Sequence, residues 1–507
     1  MGKSSSTTTF QDLPPHLLYK ILIQGSLSVL DLVHVEATCY AFRAAPGLLP
    51  LRFKSIVEIA VVDLCNAHPL YSLLPPLHRK QLLRRCGCNW KMLLRYLQST
   101  EQANGMVSTP KGKVQVAAGK YHSLVLARDK GVFACGSELP FLYPNDKVLC
   151  ETSGLFVHVM MPQNVLVTQV ASSHQHVAFI TSSGELYTYG DNKSGCCGLG
   201  EANHSGIDVE EANQTVIAPK LVTALQETRC KQVSAGVNFT MVLTVEGHVY
   251  TCGKNAHGQL GHGDANKRHV FTKIETLDSR VVQISAGAAH ALAVTQNGDA
   301  FSWGYGANWC LGHNNVANEL QPKLIQLFKD DDVFLISVSA GYEHSVALDS
   351  KGQVYTWGRG YCGALGHGHE GDVGVPQSVA TLSEVRAVQV CSKKRRTFVL
   401  SDDGRLYGFG WMGFGSLGLS RTWNSEKVLI PSVLDSLKDH HICQVSAGLY
   451  HTLAVTNKGT ILGFGDNDKG PLGVSRATSC PEPIEVVNLD HLQPSSPFEH
   501  AVASIHL

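Results

Sequence analysis

The sequence lacks the features that mark several large classes of protein. Its 507 residues contain no run of about 18 apolar residues, which a membrane-spanning helix needs. Lys plus Arg and Asp plus Glu each number 42, so no overall charge attracts nucleic acid or an anionic membrane. Residues 1–10 are polar and do not contain the apolar stretch of a secretory signal. These absences predict a cytoplasmic or nuclear protein in which any charged partner binds a local patch.

Motifs of common catalytic and cofactor sites are also missing. There is no phosphate-binding G-x-x-x-x-G-K-[ST] loop, no G-x-S-x-G nucleophile turn and no paired Cys/His zinc spacing. Histidine is common, at 24 residues, but His122, His290 and His451 recur at equivalent places of a repeat. This recurrence favours a structural role, with the ring bonded to a turn, over metal binding. We therefore expect no enzyme, no cofactor and no metal.

Cysteine is abundant, but its placement indicates packing rather than disulfide bonding. The 15 cysteines are an odd number, and Cys135 and Cys252 stand where other repeats have an aromatic residue in a strand. Residues 1–6 fit the short M-G-x-x-x-[ST] myristoylation pattern, without a nearby cysteine or basic cluster as a second membrane signal. Both an acylated and an unmodified Gly2 fit the sequence, and no membrane partner is expected.

The sequence is rich in glycine, and much of it belongs to an internal repeat. The phrase at Gln232–Thr240 (QVSAGVNFT) recurs at Gln444–Thr452 (QVSAGLYHT), and we call its glycine position the anchor. The anchors stand 51 to 63 residues apart at Gly119, Ser173, Gly236, Gly287, Gly341, Lys393 and Gly448. Seven units therefore cover residues 114 to about 487.

Each unit has the pattern of short strands joined by tight turns. Val354–Trp357 is β-branched and aromatic on both faces, as in a strand buried between two sheets. A unit of this size cannot bury its own sheet, so it needs neighbours. Closing seven units into a ring leaves no bare sheet edge, which favours a propeller over an open array. The sequence predicts a mainly β protein with a seven-bladed β-propeller at residues 113–490.

The repeated phrases A-G-x-x-H-[ST], G-x-[VL]-[YF]-x-[WCYF]-G and N-x-x-G-x-L-G closely resemble those of the regulator of chromosome condensation repeat family, whose fold is a seven-bladed propeller. The first unit departs from the pattern because residues 139–165 replace its closing phrase. The resemblance implies two candidate functions: guanine-nucleotide exchange on a Ran-like small GTPase, and UV-B sensing as in a plant receptor. No basic N-terminal tail is visible, and the anchor turns contain none of that receptor's tryptophans.

Residues 10–50 have a different, helical pattern. The order L-P-x-x-L-L-x-x-I-L followed by S-x-x-D-L resembles an F-box, the helical module that docks substrate receptors onto the Skp-type adaptor of cullin ubiquitin ligases. In this resemblance, adaptor contacts or the small core are formed by Leu13, Pro14, Leu17, Ile21, Leu22 and Leu32. The alternative is a helical cap on the propeller. The resemblance implies a substrate receptor for an unknown protein, and we expect no nucleic-acid partner.

The rest of the chain divides by composition. We predict a disordered tail at 1–9, a helical extension at 51–98, a linker at 99–112 and a C-terminal tail at 491–507. An acidic loop at 201–211 lengthens the second unit, and a tolerated surface insertion explains it as well as a binding site does.

A basic tetrad interrupts the sixth unit at its anchor turn. Because every unit repeats one topology, all seven anchor turns should lie on one face of the ring. The predicted partner-binding face comprises Lys393, Lys394, Arg395, Arg396, Tyr121, Tyr342 and Tyr450. A basic patch with aromatic neighbours suits an acidic or phosphorylated segment of a partner protein. A nuclear-localisation signal and a solvated charge run are the alternatives.

Overall fold

The computed structural model describes residues 19, 22–23, 32, 55–72, 76–86, 89–91, 93–94, 97, 107–109, 112–127, 129–137, 156–200, 215–419, 426–475 and 479–487. The chain divides into two compact units, residues 1–101 and 102–507. The predicted acidic loop at 201–211 lies outside the described residues. Within the described part of the chain, no helix has the length and apolar character needed to cross a membrane.

The N-terminal unit is helical where it is described. The helices whose full bounds fall in the described residues are α1 (Ile56–Ala67), α2 (Pro69–Ser72) and α3 (Pro76–Arg85). Helix α1 begins after Ser55, whose Oγ accepts a hydrogen bond from the Glu58 backbone N–H at 3.1 Å. Such a cap satisfies an N–H group that has no partner within the first turn. The Tyr19 hydroxyl donates to the Asp63 carboxylate and so joins an earlier segment to α1.

Two of the six predicted adaptor or core residues can be placed in this unit. Leu22 is 1% exposed and Leu32 is 0% exposed, so both belong to the core of the unit. The other four, Leu13, Pro14, Leu17 and Ile21, lie outside the described residues. An adaptor-binding surface therefore stays a prediction.

The described residues of the second unit form seven antiparallel sheets, which confirms the predicted seven-bladed, mainly β fold. Consecutive strands are neighbours in every blade. Blade 1 contains β1 (Val107–Thr109), β2 (Gly112–Ala118), β3 (His122–Ala127), β4 (Gly131–Gly136) and β5 (Val157–His158); blade 2 contains β6 (Val167–Ser172), β7 (His176–Thr181), β8 (Leu186–Asp191) and β9 (Thr215–Leu221). Blade 3 contains β10 (Cys230–Ala235), β11 (Phe239–Thr244), β12 (Val249–Gly253) and β13 (Arg268–Lys273); blade 4 contains β14 (Val281–Ala286), β15 (His290–Thr295), β16 (Ala300–Gly304) and β17 (Glu319–Leu324).

The last three blades follow the same order. Blade 5 is preceded by a short helix, α4 (Gln326–Asp330), and contains β18 (Leu335–Ala340), β19 (His344–Asp349), β20 (Val354–Gly358) and β21 (Val373–Ser378). Blade 6 contains β22 (Ala387–Lys393), β23 (Arg396–Ser401), β24 (Leu406–Trp411) and β25 (Lys427–Val433); blade 7 contains β26 (Ile442–Ala447), β27 (His451–Thr456), β28 (Ile461–Gly465) and β29 (Cys480–Val487).

The expectation of a linker through residue 112 is wrong. Val107–Thr109 forms β1, which pairs antiparallel with the start of β2 and gives blade 1 a fifth strand. The polar residues of this stretch indicated a linker, but a short strand forms because the edge of β2 is available to it.

The propeller core lies between the faces of neighbouring blades. Between blades 1 and 7, for example, Val125 and Phe133 pack in one cluster with Leu453 and Ile461. The third strand is buried as predicted: Trp357 has no exposed surface, and its indole N–H donates to the Cys310 carbonyl at 3.0 Å. Ring closure therefore removes apolar sheet faces from water.

Glutamine side chains, rather than strand pairing, cover the inner sheet edges. The Gln115 amide, for instance, donates to the Val170 carbonyl at 3.2 Å and accepts from the Val170 N–H at 2.9 Å in the next blade. The last glutamine contact of this kind links blade 7 to blade 1, because the Gln444 side chain accepts a hydrogen bond from the Val116 N–H at 3.1 Å. The seven sheets stay separate. The inner edges are therefore covered by side-chain amides and not by pairing between sheets.

Candidate functional site: the anchor-turn face

One face of the ring carries both the anchor turns and the closing loops. An anchor turn joins the two innermost long strands of a blade, and a closing loop follows the next strand. In blade 5 the Arg359 N–H donates to the Glu343 carbonyl at 2.9 Å, and in blade 6 the Trp411 N–H donates to the Arg395 carbonyl at 2.8 Å. Because this bond ties a closing loop to the anchor turn of its own blade, both segments lie on one face, which we call the anchor-turn face.

Beneath this face, neighbouring blades are linked by pairs of hydrogen bonds that run from a histidine through a hydroxyl to a carbonyl, and we call this arrangement the relay. The His344 Nε2 bonds to the Thr397 hydroxyl of the next blade at 2.9 Å, and that hydroxyl donates to the Ala364 carbonyl at 2.8 Å. Since the hydroxyl hydrogen is used, His344 must be the donor and carries its proton on Nε2. Burial lowers the pKa of His344 to about 4, so the ring is neutral at physiological pH.

The relay corrects the sequence-based expectation for these histidines. His290 and His451 bond to the hydroxyls of Ser345 and Ser123 in the following blades, at 3.0 and 2.8 Å. They therefore link neighbouring blades instead of bonding to a turn. Among the described residues, no group of three or more His, Cys, Asp or Glu side chains could hold a metal ion.

Blade 6 replaces the relay histidine by Arg396, which is fully buried. Its guanidinium donates to the Ser416 carbonyl at 2.9 Å and to the Gly448 carbonyl at 2.6 Å. Burial lowers the pKa of Arg396 to about 9, which still leaves it charged at neutral pH. The prediction that Arg396 projects from the face is wrong, because the residue at this register position points between blades 6 and 7.

Lys393 replaces the anchor glycine in the same unit in which Arg396 replaces the histidine, and the two changes are sterically compatible. In a neighbouring unit, a Cβ added to Gly341 would lie 2.4 Å from the His344 ring, which folds back over the anchor. Arg396 turns away to its two carbonyl partners and leaves room for a side chain at 393. Lys393 lines the central channel instead of lying on the rim of the face. Its predicted place beside the exposed tyrosines is therefore wrong.

Lys394 is the cation at the centre of the face. Its backbone has φ of 54°, the left-handed turn conformation. Its ammonium lies 3.7 Å from the centre of the Trp411 ring and 4.0 Å from that of Tyr450, as in cation–π contacts. Burial and the charges of Arg396 and Arg395 lower the pKa of Lys394 to about 8. The positive charge is therefore largely present at neutral pH and is lost as the pH rises through 8.

Aromatic rings extend the face on both sides of Lys394. Tyr450 stacks on Tyr121 with ring centres 5.4 Å apart, and Phe414 packs edge-on against Tyr450 at 5.8 Å. The guanidinium of Arg395 lies 4.6 Å from the ring centre of Tyr361. Phe414 and Tyr361 are 49% and 46% exposed. Large rings that stay open to solvent beside cations are typical of protein-binding surfaces.

The structure brings together five of the seven residues predicted for this face. Lys394 contacts Tyr450, Tyr450 stacks on Tyr121, and the Tyr342 N–H donates to the Lys394 carbonyl at 3.2 Å. Arg395 is the fifth. The sequence reasoning missed Trp411, Phe414 and Tyr361, all from closing loops. The sequence did contain a signal for two of them, because Trp411 and Phe414 stand where the third unit has the polar residues Lys254 and His257, whereas Tyr361 aligns with Ala256.

Comparison with known proteins identifies the repeat. The model of the regulator of chromosome condensation (RCC1) repeat matches residues 183–243, 246–294, 297–348, 351–400 and 403–455. The chain belongs to this family. A second model of the same repeat also matches residues 114–138 and 442–470, in the first and last units. The chain is therefore an RCC1-repeat propeller, with the interaction or regulatory role of that class.

Several curated proteins are similar to the propeller. The ultraviolet-B receptor UVR8 of Arabidopsis thaliana is 31% identical over 328 residues, 64% of this chain and 71% of the receptor. The human E3 ubiquitin-protein ligase HERC2 is 29% identical over 327 residues, but the match covers only 6% of that protein. The human X-linked retinitis pigmentosa GTPase regulator is 32% identical over 314 residues, 29% of its length.

Solved structures agree on the fold. Yeast RCC1 (Prp20), bound to Kap60, superposes with a TM-score of 0.61 at 17% identity, over 77% of this chain and 87% of the other. At that identity the likeness supports the fold alone.

Proposed function

We propose that this protein is a substrate receptor, whose anchor-turn face captures a partner protein and whose N-terminal unit docks a Skp-type adaptor of a cullin ubiquitin ligase. The observation that carries the first half is the cation–aromatic cluster of Lys394, Arg395, Trp411, Phe414 and Tyr361. Two of its rings are about half exposed. Interface hot spots are enriched in tryptophan, tyrosine and arginine.

The charges of this face favour an acidic partner segment. Lys394 and Arg395 are held by aromatic rings, and the Glu343 carboxylate of the neighbouring blade already pairs with Arg359 at 2.8 Å. An incoming carboxylate or phosphate group would therefore meet cations whose side chains are already ordered, which lowers the entropic cost of binding.

The second half of the proposal rests on the F-box-like pattern at residues 10–50 and on the burial of Leu22 and Leu32 in a helical unit. A docking module beside a receptor ring makes one consistent architecture. The ubiquitin-ligase identity of a relative such as HERC2 is compatible with this proposal. The receptor is expected in the cytoplasm, the nucleus or both.

Reversing the charge of Lys394 and Arg395 to glutamate is expected to abolish partner capture. Two repulsive charges would replace two attractive ones, and each is worth on the order of 1 kcal/mol at a partly exposed interface. Proteins captured by the full-length tagged chain would be compared by quantitative mass spectrometry. The matched control is Lys458→Glu, an exposed lysine in the turn between β27 and β28, at the opposite end of its blade. An unchanged set of captured proteins at low salt would remove the basis for this face.

Replacing Leu13 and Pro14 by alanine is expected to reduce binding to a purified Skp-type adaptor by at least about tenfold, because an F-box contact loses its apolar anchors. Calorimetric titration of the full chain measures the affinity. The propeller, a separate compact unit, should keep the melting temperature of the unmodified chain. Adaptor binding of equal affinity in both chains would argue for the helical-cap alternative.

Regulation of a Ran-like small GTPase is the second candidate. The name of the GTPase-regulator relative favours it. Faster release of labelled GDP from Ran in the presence of an equimolar amount of this protein would support this candidate. An unchanged rate of GDP release would exclude it for Ran.

A further inference from the structure

The mouth of the central channel combines a half-buried cation with an unpartnered polar atom. The channel is bordered by the innermost long strands of all seven blades and has a volume of about 240 Å³. Its described lining is mainly Gln, Ser, Ala and Val, and Lys393 is the charged residue among those lining side chains. Lys393 stands at the end of β22, where the anchor turns close the mouth.

The turn that follows Lys393 reaches the anchor turns of blades 5 and 2, because the Tyr342 N–H donates to the Lys394 carbonyl at 3.2 Å and the Tyr342 ring stacks on His174. Burial and then the charge of Lys393 are the two largest causes that lower the pKa of His174 to about 3. For His122, Lys393 is the smallest of the four causes, after burial, His176 and His174, that lower the pKa to about 3. Burial also lowers the pKa of Lys393 itself, and among the described residues no carboxylate offsets this.

His174 supplies the unpartnered atom. Its Nε2 is buried and has no hydrogen-bond partner among the described residues. Its ring stacks on Tyr342 of blade 5 at 6.2 Å between centres, so the pair spans the mouth. A buried polar atom without a partner costs about 1–3 kcal/mol. In the neutral tautomer that carries its proton on Nε2, this N–H can donate to a ligand oxygen, which would recover the energy.

Serine hydroxyls can add further donors to the channel wall. The Oγ atoms of Ser234, Ser285 and Ser446 each accept a backbone N–H from the next blade, at 2.9, 2.9 and 3.0 Å. A hydroxyl that accepts one bond can still donate its own hydrogen. The channel wall therefore resembles a site built to solvate an anion.

We propose that the channel mouth binds an oxyanion, a phosphate or carboxylate group, through Lys393 Nζ and His174 Nε2. The proposal deepens the proposed function and rests on it, because the mouth opens on the face that captures the partner. The group has two sources: free phosphate, or a carboxylate side chain that the captured protein inserts into the channel.

Isothermal titration of inorganic phosphate into the full chain tests the site directly. We expect one phosphate per chain, with binding weakened at least about tenfold in Lys393→Met, which keeps the length of the side chain and removes its charge. His174→Phe keeps the ring against Tyr342 but removes the donor, and it should weaken binding about threefold or more. Lys458→Met, remote from the mouth, is the matched control and should bind as the unmodified chain does.

Two results would overturn the proposed site: no heat of binding from the unmodified chain, or an equal phosphate affinity in Lys393→Met. If Lys393→Met does not fold, the phosphate affinity of His174→Phe decides instead. Competition of phosphate by a hexaglutamate peptide identifies a protein carboxylate as a source, and lack of competition identifies free phosphate. Phosphate titration needs no partner protein, so its failure leaves capture by Lys394 and Arg395 standing. Failed capture likewise leaves the phosphate result intact.

Discussion

A chain that ends at Ser436, without blade 7, is expected to aggregate instead of forming a smaller propeller. Loss of the blade exposes the face of blade 1 that carries Val125 and Phe133, both now packed against Leu453 and Ile461. It also removes the hydrogen bond between the Gln444 side chain and the Val116 N–H, which links blade 7 to blade 1. An apolar sheet face of this kind, bared to water, promotes association. Size-exclusion chromatography and static light scattering measure the outcome.

The control for this truncation is a chain that ends at Val487. It removes only residues beyond β29 and should keep the oligomeric state and the cooperative melting transition of the full chain. A soluble monomer that ends at Ser436 and melts cooperatively would mean that the blades stack as an open array. In that case the contacts between blades 1 and 7 would be incidental to stability.

The fold was predictable because its determinants are local and repeated. The strand pattern at Val354–Trp357 appears in every unit with small changes. Once it is assigned as a strand in one unit, it predicts the same strand in all seven. The buried indole of Trp357 and its counterpart Trp303 follow from that register. The hydrogen bonds that join neighbouring blades were not predictable in the same way. They depend on which atoms of one blade contact the next, such as the Gln115 amide and the Val170 backbone.

The site was predictable only in part, for the same reason. Repetition of one topology predicted that Lys394 and Tyr450 lie on one face, but it did not predict where the Arg396 side chain points. That direction is set by two carbonyls far along the chain, those of Ser416 and Gly448. The sequence did contain a hint: the anchor glycine and the histidine three residues later are replaced together in the sixth unit, as Lys393 and Arg396.

One seam of the ring differs from the others. Ser337 stands at the glutamine position of blade 5, and its hydroxyl accepts from the Gln283 amide at 3.1 Å. Blades 5 and 6 are joined instead where the Ser339 hydroxyl accepts from the N–H and hydroxyl of Ser392, at 2.8 and 2.9 Å. Lys393 follows Ser392 directly and lies beside this seam, whereas Arg396 points to the seam between blades 6 and 7. Both replacements are in blade 6, which therefore carries the cations of the anchor-turn face and the lysine of the channel.

Arg396→His, which restores the residue found in most other units, is expected to destabilise the protein. A Cβ at Gly341 would lie 2.4 Å from the His344 ring, so the new ring would have to shift away from the Lys393 Cβ, as the His176 ring must beside Ser173 in blade 2. The bonds to Ser416 and Gly448 would also be lost. Overpacking and lost charge-assisted hydrogen bonds together should lower the free energy of unfolding by about 3 kcal/mol. Chemical denaturation followed by tryptophan fluorescence measures the change.

The double change Lys393→Gly with Arg396→His should recover most of that loss. It removes the clashing Cβ and recreates the relay, because the Thr452 hydroxyl already donates to the Ser416 carbonyl at 2.9 Å and can accept from the new imidazole. Lys393→Gly alone completes the cycle and should cost at most about 1 kcal/mol, the usual effect of glycine at such a position. The coupling between the two positions is then about 2 kcal/mol or more. Additive effects would mean that Arg396 is held by its carbonyl partners regardless of Lys393, and that the two replacements are independent.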